Sequence, residues 1–105
     1  MYTPQQIEKF WNMAHIDSLR NPDEYRKDFA GAWIRKDMFG YQSLLGWTIC
    51  RKRPRNMGGT DDDSNMMPVH WRNNRFKGSD YPYFRSVITS SGMHNITRIQ
   101  KWEVR

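Results

Sequence analysis

Cys50 is the only cysteine, which excludes an internal disulfide and any zinc site built from cysteines alone. No apolar run follows a basic N-terminal start, and no stretch approaches membrane-span length. The expectation is a soluble, intracellular, cytoplasmic protein that makes no use of a membrane. Aliphatic residues are scarce too. Leu, Ile, Val and Phe supply 18 of 105 residues, few enough to raise the question of disorder. Five Trp, five Tyr and seven Met answer it, because they bring large apolar surfaces that the aliphatic count misses. One folded domain over residues 1–105, with a small aromatic-rich core, is expected.

Acidic residues are in the minority, 11 against 17 Lys and Arg, for a formal charge of +6. A basic surface favours polyanions, because neutralising phosphates releases counterions. Acidic protein surfaces would exploit the same field, so nucleic acid and an acidic protein both stand as partners.

Thr3-Pro4-Gln5-Gln6 reads as a helix opening, with Thr3 as cap and Gln6 completing a capping box. Ile7, Phe10, Trp11 and Ala14 then share one helical face. Asp17 to Asp28 is polar, with a turn at Asn21-Pro22-Asp23. Ala30–Ile34 and Gly46–Cys50 read as short strands, and Arg35–Gln42 as a loop. The densest basic run, Arg51-Lys52-Arg53-Pro54-Arg55, follows; Gly58-Gly59 permits a tight reversal, and Asp61-Asp62-Asp63 reads as a solvated turn. Met66-Met67 should return to the core. A second helix is expected over Val69–Lys77, with Val69, Asn73 and Phe76 on one side and Gly78 as its stop. Phe84–Thr89 and Ile96–Val104, around Ser90-Ser91-Gly92, predict a terminal hairpin.

Ordered pieces of the chain resemble a small single-domain HNH endonuclease family. They are Trp11, Arg26-Lys27-Asp28, Gly31-Ala32-Trp33-Ile34, Tyr41 and Gly46-Trp47, then Gly58-Gly59, Asp61-Asp62, Asn65, Pro68, Trp71, Asn73-Asn74 and Lys77-Gly78. The resemblance implies an α+β fold: an HNH-like ββα-metal core with an N-terminal helix and a C-terminal β-hairpin. In that family an Asp-His pair ends the first strand of the core. The Asp holds a divalent metal and the neutral His activates water. A middle Asn fixes the loop, and a helical Asn or His completes the ligands.

Aligned on Gly46-Trp47, the Asp-His pair falls at Cys50-Arg51, the loop Asn at Asn65 and the helical ligand at Asn74. Arg51 stays protonated at accessible pH and cannot accept a proton from water. Magnesium prefers oxygen ligands, and a thiol in place of a carboxylate removes charge and hardness. Cys50, Arg51 and Asn74 are thus degenerate catalytic positions, and no cofactor is expected unless a remodelled site takes a divalent metal. Cys50, His70 and Asn74 are weak zinc candidates. His70 is either a displaced base or a structural histidine, and Cys50 a packed thiol whose pKa the adjacent Arg could lower.

The expectation is a pseudo-nuclease that binds nucleic acid through its former active face, using Arg51, Lys52, Arg53, Arg55, Arg72, Arg75 and Lys77, with Asn65, Gly58 and Gly59 framing the loop. A solvated basic face is the plain alternative. So is a protein-binding inhibitor or accessory protein of phage–host conflict type, and so is a metal-dependent endonuclease with a remodelled centre. Trp33, Trp47, Trp71 and Trp102 read as core residues, with Trp71 the one best placed to stack on a base as well.

Overall fold

In the computed structural model, which describes residues 2–105, Thr3 Oγ1 accepts the Gln6 N–H at 3.1 Å and Gln6 Oε1 accepts the Thr3 N–H at 2.8 Å. This reciprocal capping box, with Pro4 in the first turn, opens helix α1 (Pro4–Trp11). Phe10 and Trp11 on its inner face are buried, as is Ala14 just beyond its end.

Strand β1 (Tyr25–Lys27) pairs antiparallel with β2 (Trp33–Arg35). The turn between them is built on Asp28, whose Oδ1 accepts the N–H groups of Ala30 and Ala32 at 3.0 and 2.9 Å. Strands β3 (Trp47–Arg51) and β4 (Met66–His70) form the second antiparallel pair, with Cys50 opposite Met67 and Arg51 opposite Met66. Helix α2 (Trp71–Phe76) follows β4 directly. Strands β5 (Tyr83–Ser91) and β6 (His94–Glu103) make the terminal hairpin. The fold is α+β, with three two-stranded antiparallel sheets and few helices.

The β3–β4 hairpin lies between two apolar clusters because alternate side chains leave a strand on opposite faces. Trp47, Ile49 and Met66 meet Phe10, Trp11 and Ile34 on one side. Cys50, Met67 and Val69 meet Phe84, Phe29 and Trp102 on the other. All five residues of β4 are consequently buried. Aromatic pairs tie both clusters, Trp11 to Trp47 at 5.5 Å between centroids and Phe29 to Phe84 at 5.0 Å. Trp33 also lies in the core, and its Nε1–H donates to the Gly92 carbonyl at the tip of the terminal hairpin.

The structure redraws several sequence boundaries. The polar stretch before Asp28 contains β1, and the strand expected at Ala30–Ile34 is displaced to Trp33–Arg35 because Ala30 and Gly31 belong to the Asp28 turn. Arg35–Gln42 contains a single 3₁₀ turn, Lys36–Met38. The second helix begins at Trp71 rather than Val69, since Val69 pairs with Thr48 and His70 with Trp47 as strand residues. Pro68 sits within β4, where a two-stranded sheet offers only edge strands and can accommodate it. Val69 and Asn73 are both buried, but Phe76 faces solvent, so the three do not form one helical face.

Candidate functional site

The loop joining β3 to β4 is held by one side chain. Asn65 Oδ1 accepts the Arg53 N–H at 2.8 Å, and its Nδ2 donates to the carbonyls of Arg53 and Thr60 at 3.0 and 2.7 Å. The Lys52 N–H also donates to the Asn65 carbonyl at 2.7 Å, extending the hairpin past its last ladder residue. Gly58 turns the chain at a φ of 86°, and a Cβ on Gly59 would lie 1.8 Å from the Arg53 carbonyl oxygen. Both glycines are therefore required by the same turn.

Helix α2 is fixed from the other end. His70 caps it, with Nδ1 accepting the Arg72 N–H at 3.2 Å while Nε2 lies 2.9 Å from the Leu44 carbonyl. A neutral imidazole protonated on Nε2 satisfies both contacts. Burial holds its pKa below the ordinary imidazole value. With both ring nitrogens committed to backbone, His70 is a structural residue rather than a displaced base. Asn73 Oδ1 accepts the N–H groups of Val87 and Ile88 at 2.8 Å each, and its Nδ2 donates to the Ile88 carbonyl at 2.9 Å. The β5–β6 register shifts at this point, between Ser86 and Ile88, so the Asn73 carboxamide supplies the pairing that the bulge gives up.

Asp28 joins these pieces. Its Oδ2 accepts from the His70 N–H and from Asn73 Nδ2, both at 3.0 Å, while Oδ1 holds its own turn. Burial pushes this carboxyl above its ordinary pKa, opposed by the hydrogen bonds from Asn73, His70 and Ala32. Asp28 and Asn73 stand among the pieces that carry the resemblance, but their role as buried structural supports was not read from the sequence. The position of Asp28 two residues before an Ala-Gly turn was the one available signal, as Asp favours such self-capping loops.

The degenerate positions separate chemically. Cys50 is buried, and burial pushes its thiol up to about 12, with the nearby Lys77 ammonium acting weakly in the opposite direction. Cys50 is thus the packed thiol expected from the sequence, and its burial raises rather than lowers its pKa. Arg51 Nε donates to Asp61 Oδ1 at 2.6 Å, and Arg55 Nη2 lies 3.0 Å from Asp61 Oδ2. The Arg51 hydrogen bond holds Asp61 below the usual carboxylate pKa, and Asp61 raises Arg51 in turn. The run at residues 61–63 is thus more than a solvated turn: Asp61 bridges two arginines, and Asp63 pairs with Lys9 of α1 at 2.9 Å.

These residues do not suit a hard divalent cation. Cys50 is a neutral thiol, Arg51 is an ion-paired cation, and both His70 ring nitrogens face backbone. Asn74 Oδ1 is buried without a hydrogen-bond partner, leaving one neutral oxygen as the remaining donor. Among the described residues, no three His, Cys, Asp or Glu side chains gather as a metal site.

The remaining basic candidates occupy separate surroundings. Arg53 donates Nε–H to the Met57 carbonyl at 2.6 Å and lies 5.8 Å from the Tyr81 ring centroid. Lys52 lines a pocket with Lys27, Asp28 and Trp102. Arg72 and Arg75 flank Trp71 in a groove floored by Phe76 and Val87, with the Arg75 guanidinium 5.0 Å from the Trp71 ring. Lys77 lies 5.7 Å from the Phe84 ring. The partly exposed Trp71 donates Nε1–H to the Ser43 carbonyl at 2.6 Å and stacks on His70. Trp102 is half-buried and donates to Ser86 Oγ. No helix in the described residues is long and apolar enough to cross a membrane. No protein-family model, curated protein or solved structure matches the chain.

Proposed function

We propose that this chain is a degenerate HNH-like domain that binds nucleic acid without cutting it. The single observation that carries the reading is the state of the Cys50-Arg51 pair. Where the resembled family has an acidic metal ligand and a general base, this chain has a buried neutral thiol and an arginine paired with Asp61. The antiparallel hairpin leading directly into a short helix, with Asn65 stapling the connecting loop, supports the HNH-like frame. General acid–base catalysis contributes about 10²–10⁴-fold in enzymes that use it, and Arg51 cannot supply it. Exposed guanidinium groups at Arg53, Arg55, Arg72 and Arg75 remain available to track a phosphate backbone.

A second reading, a protein-binding inhibitor or accessory protein, is favoured by Leu44. That side chain is 89% exposed at the rim of a groove of about 700 Å³, beside Trp71 and Ile96. The reading of a remodelled metal-dependent nuclease has only the unpartnered Asn74 oxygen in its favour.

One preparation tests all three. Incubation with plasmid and magnesium, manganese, nickel or zinc should leave the DNA intact, and labelled oligonucleotides should bind with strong salt dependence. Replacing Arg53, Arg72 and Arg75 by Ala should weaken that binding and flatten its salt slope by roughly one unit per lost phosphate contact. Cleavage abolished by Asn74→Ala would restore the nuclease reading. A stable protein complex lost on Leu44→Asp, with no oligonucleotide affinity, would establish the second.

A further inference from the structure

A pocket of about 400 Å³ opens between α1 and the β3–β4 loop, bounded by Tyr2, Gln6, Phe10 and Met66 and by Arg51, Arg55, Asp61 and Asp63. Its polar end holds two guanidinium groups with the Asp61 carboxylate between them, while the second carboxylate of the lining, Asp63, is neutralised by Lys9 at 2.9 Å. Asp61 spends each oxygen on a different arginine, Oδ1 on Arg51 Nε and Oδ2 on Arg55 Nη2. Among the described residues, neither terminal nitrogen of Arg51 has a protein partner, and Arg55 retains Nε and Nη1 unspent. The side chain of Arg51 is 34% exposed, that of Arg55 70% and that of Asp61 59%, so all three reach solvent.

We propose that this pocket is a phosphate-binding site in which Asp61 occupies the place of the phosphate as a displaceable internal mimic. This deepens the nucleic-acid reading and rests on it for the source of the phosphate group. Two convergent arginines recognise tetrahedral oxyanions through paired N–H donors, as they do carboxylates. A carboxylate in that position satisfies the guanidinium groups when no ligand is present. An incoming phosphate carries more acceptor oxygens than the carboxylate and can engage the nitrogens that Asp61 leaves unspent. Because Asp61 is exposed, its release into water costs little, so exchange is favourable in a way it would not be for a buried pair. Phe10 and Tyr2 form the apolar side of the pocket.

The test compares the wild-type chain with Asp61→Asn, with Asp62→Asn as a charge-matched control, and with Asp61→Asn combined with Arg55→Ala. Asp62 lies next in sequence but bonds to Thr60 rather than to an arginine. Anisotropy with a short labelled single strand should show Asp61→Asn binding about five- to tenfold more tightly than wild type at low salt, as expected for removing two exposed ion pairs that compete with the ligand. Asp62→Asn should give a smaller gain, and Arg55→Ala should cancel the effect of Asp61→Asn. Equal gains from Asp61→Asn and Asp62→Asn would reduce the effect to net charge and overturn the proposal while leaving nucleic-acid binding intact. A second measurement follows the arginine Nε–H signals by NMR as inorganic phosphate is added. Shifts at Arg51 and Arg55 that saturate at lower phosphate in Asp61→Asn than in the wild type or Asp62→Asn would sustain the site even if no oligonucleotide bound, in which case only the nucleic-acid reading fails. No response in Asp61→Asn to phosphate or to oligonucleotide would remove the site.

Discussion

Asp28 Oδ2 lies 3.0 Å from Nδ2 of Asn73, 45 residues further along the chain, and both side chains are buried. That contact joins the β1–β2 turn to α2 and, through the Asn73 carboxamide, to the bulge of β5. It links the β1–β2 pair, α2 and β5, which share no continuous sheet.

Removing Asp28 leaves four buried N–H donors without acceptors. Asp28→Ala is expected to cost about 3–5 kcal/mol, the scale of several unsatisfied buried donors. Asp28→Asn should also destabilise, since its amide would turn N–H groups towards other N–H groups. Urea denaturation read by tryptophan fluorescence measures both. A loss under 1 kcal/mol for Asp28→Ala, on the ordinary scale of one exposed substitution, would contradict the hub.

Asn65 is expected to control the loop more than the fold. Three hydrogen bonds depend on its carboxamide, so Asn65→Ala should cost about 1–2 kcal/mol. Limited proteolysis should then cut preferentially between residues 52 and 64, while β5 and β6 stay protected. Gly59→Ala should give the same cleavage pattern, because its Cβ collides with the Arg53 carbonyl.

His70 makes stability depend on pH in a defined direction. Its folded pKa lies below the unfolded value near about 6.5, so the unfolded chain binds the extra proton first. The contribution is complete above that value and is lost as pH falls through the lower folded pKa. Protonation also places an Nδ1–H against the Arg72 N–H that the ring now accepts. Thermal unfolding followed from pH 7 downward to about 5 should show a falling Tm, and His70→Asn should flatten the slope over that interval. An unchanged slope in His70→Asn would assign the effect to other groups.

Cys50 should be inert in the native protein. A buried thiol pushed up to about 12 is protonated at neutral pH, and the thiolate is the reactive form. A disulfide reagent should label it only as fast as the protein unfolds, with full reaction in denaturant. Rapid native labelling, speeding with pH as a thiolate of ordinary pKa would, contradicts the burial.

Features made by neighbours in the chain were legible in the sequence. The Thr3–Gln6 capping box needs only a three-residue spacing, and the Gly58-Gly59 turn only two residues without side chains. Two β-rich runs around Ser90-Ser91-Gly92 were enough for the terminal hairpin. The second helix was placed too early because its cap is an imidazole, where Ser, Thr, Asp or Asn is the usual signal, and because Val69 fits either period until Thr48 pairs with it. Of the candidate site, the loop role of Asn65 was implied by the family resemblance, whereas the partners of Arg51 and Arg55 were not legible.

The sequence by itself determined the basic charge, the aromatic core, the order of strand, loop, strand and helix, and an arginine incapable of accepting a proton. These follow from residue chemistry and short-range geometry. Only the tertiary structure decided that Asp28 sits under α2, that both nitrogens of His70 face backbone, and that Asp61 stands between Arg51 and Arg55. Those outcomes depend on which distant polar groups burial and packing bring within hydrogen-bonding distance, and an acidic triplet in a loop carries no local mark of which arginine it will meet.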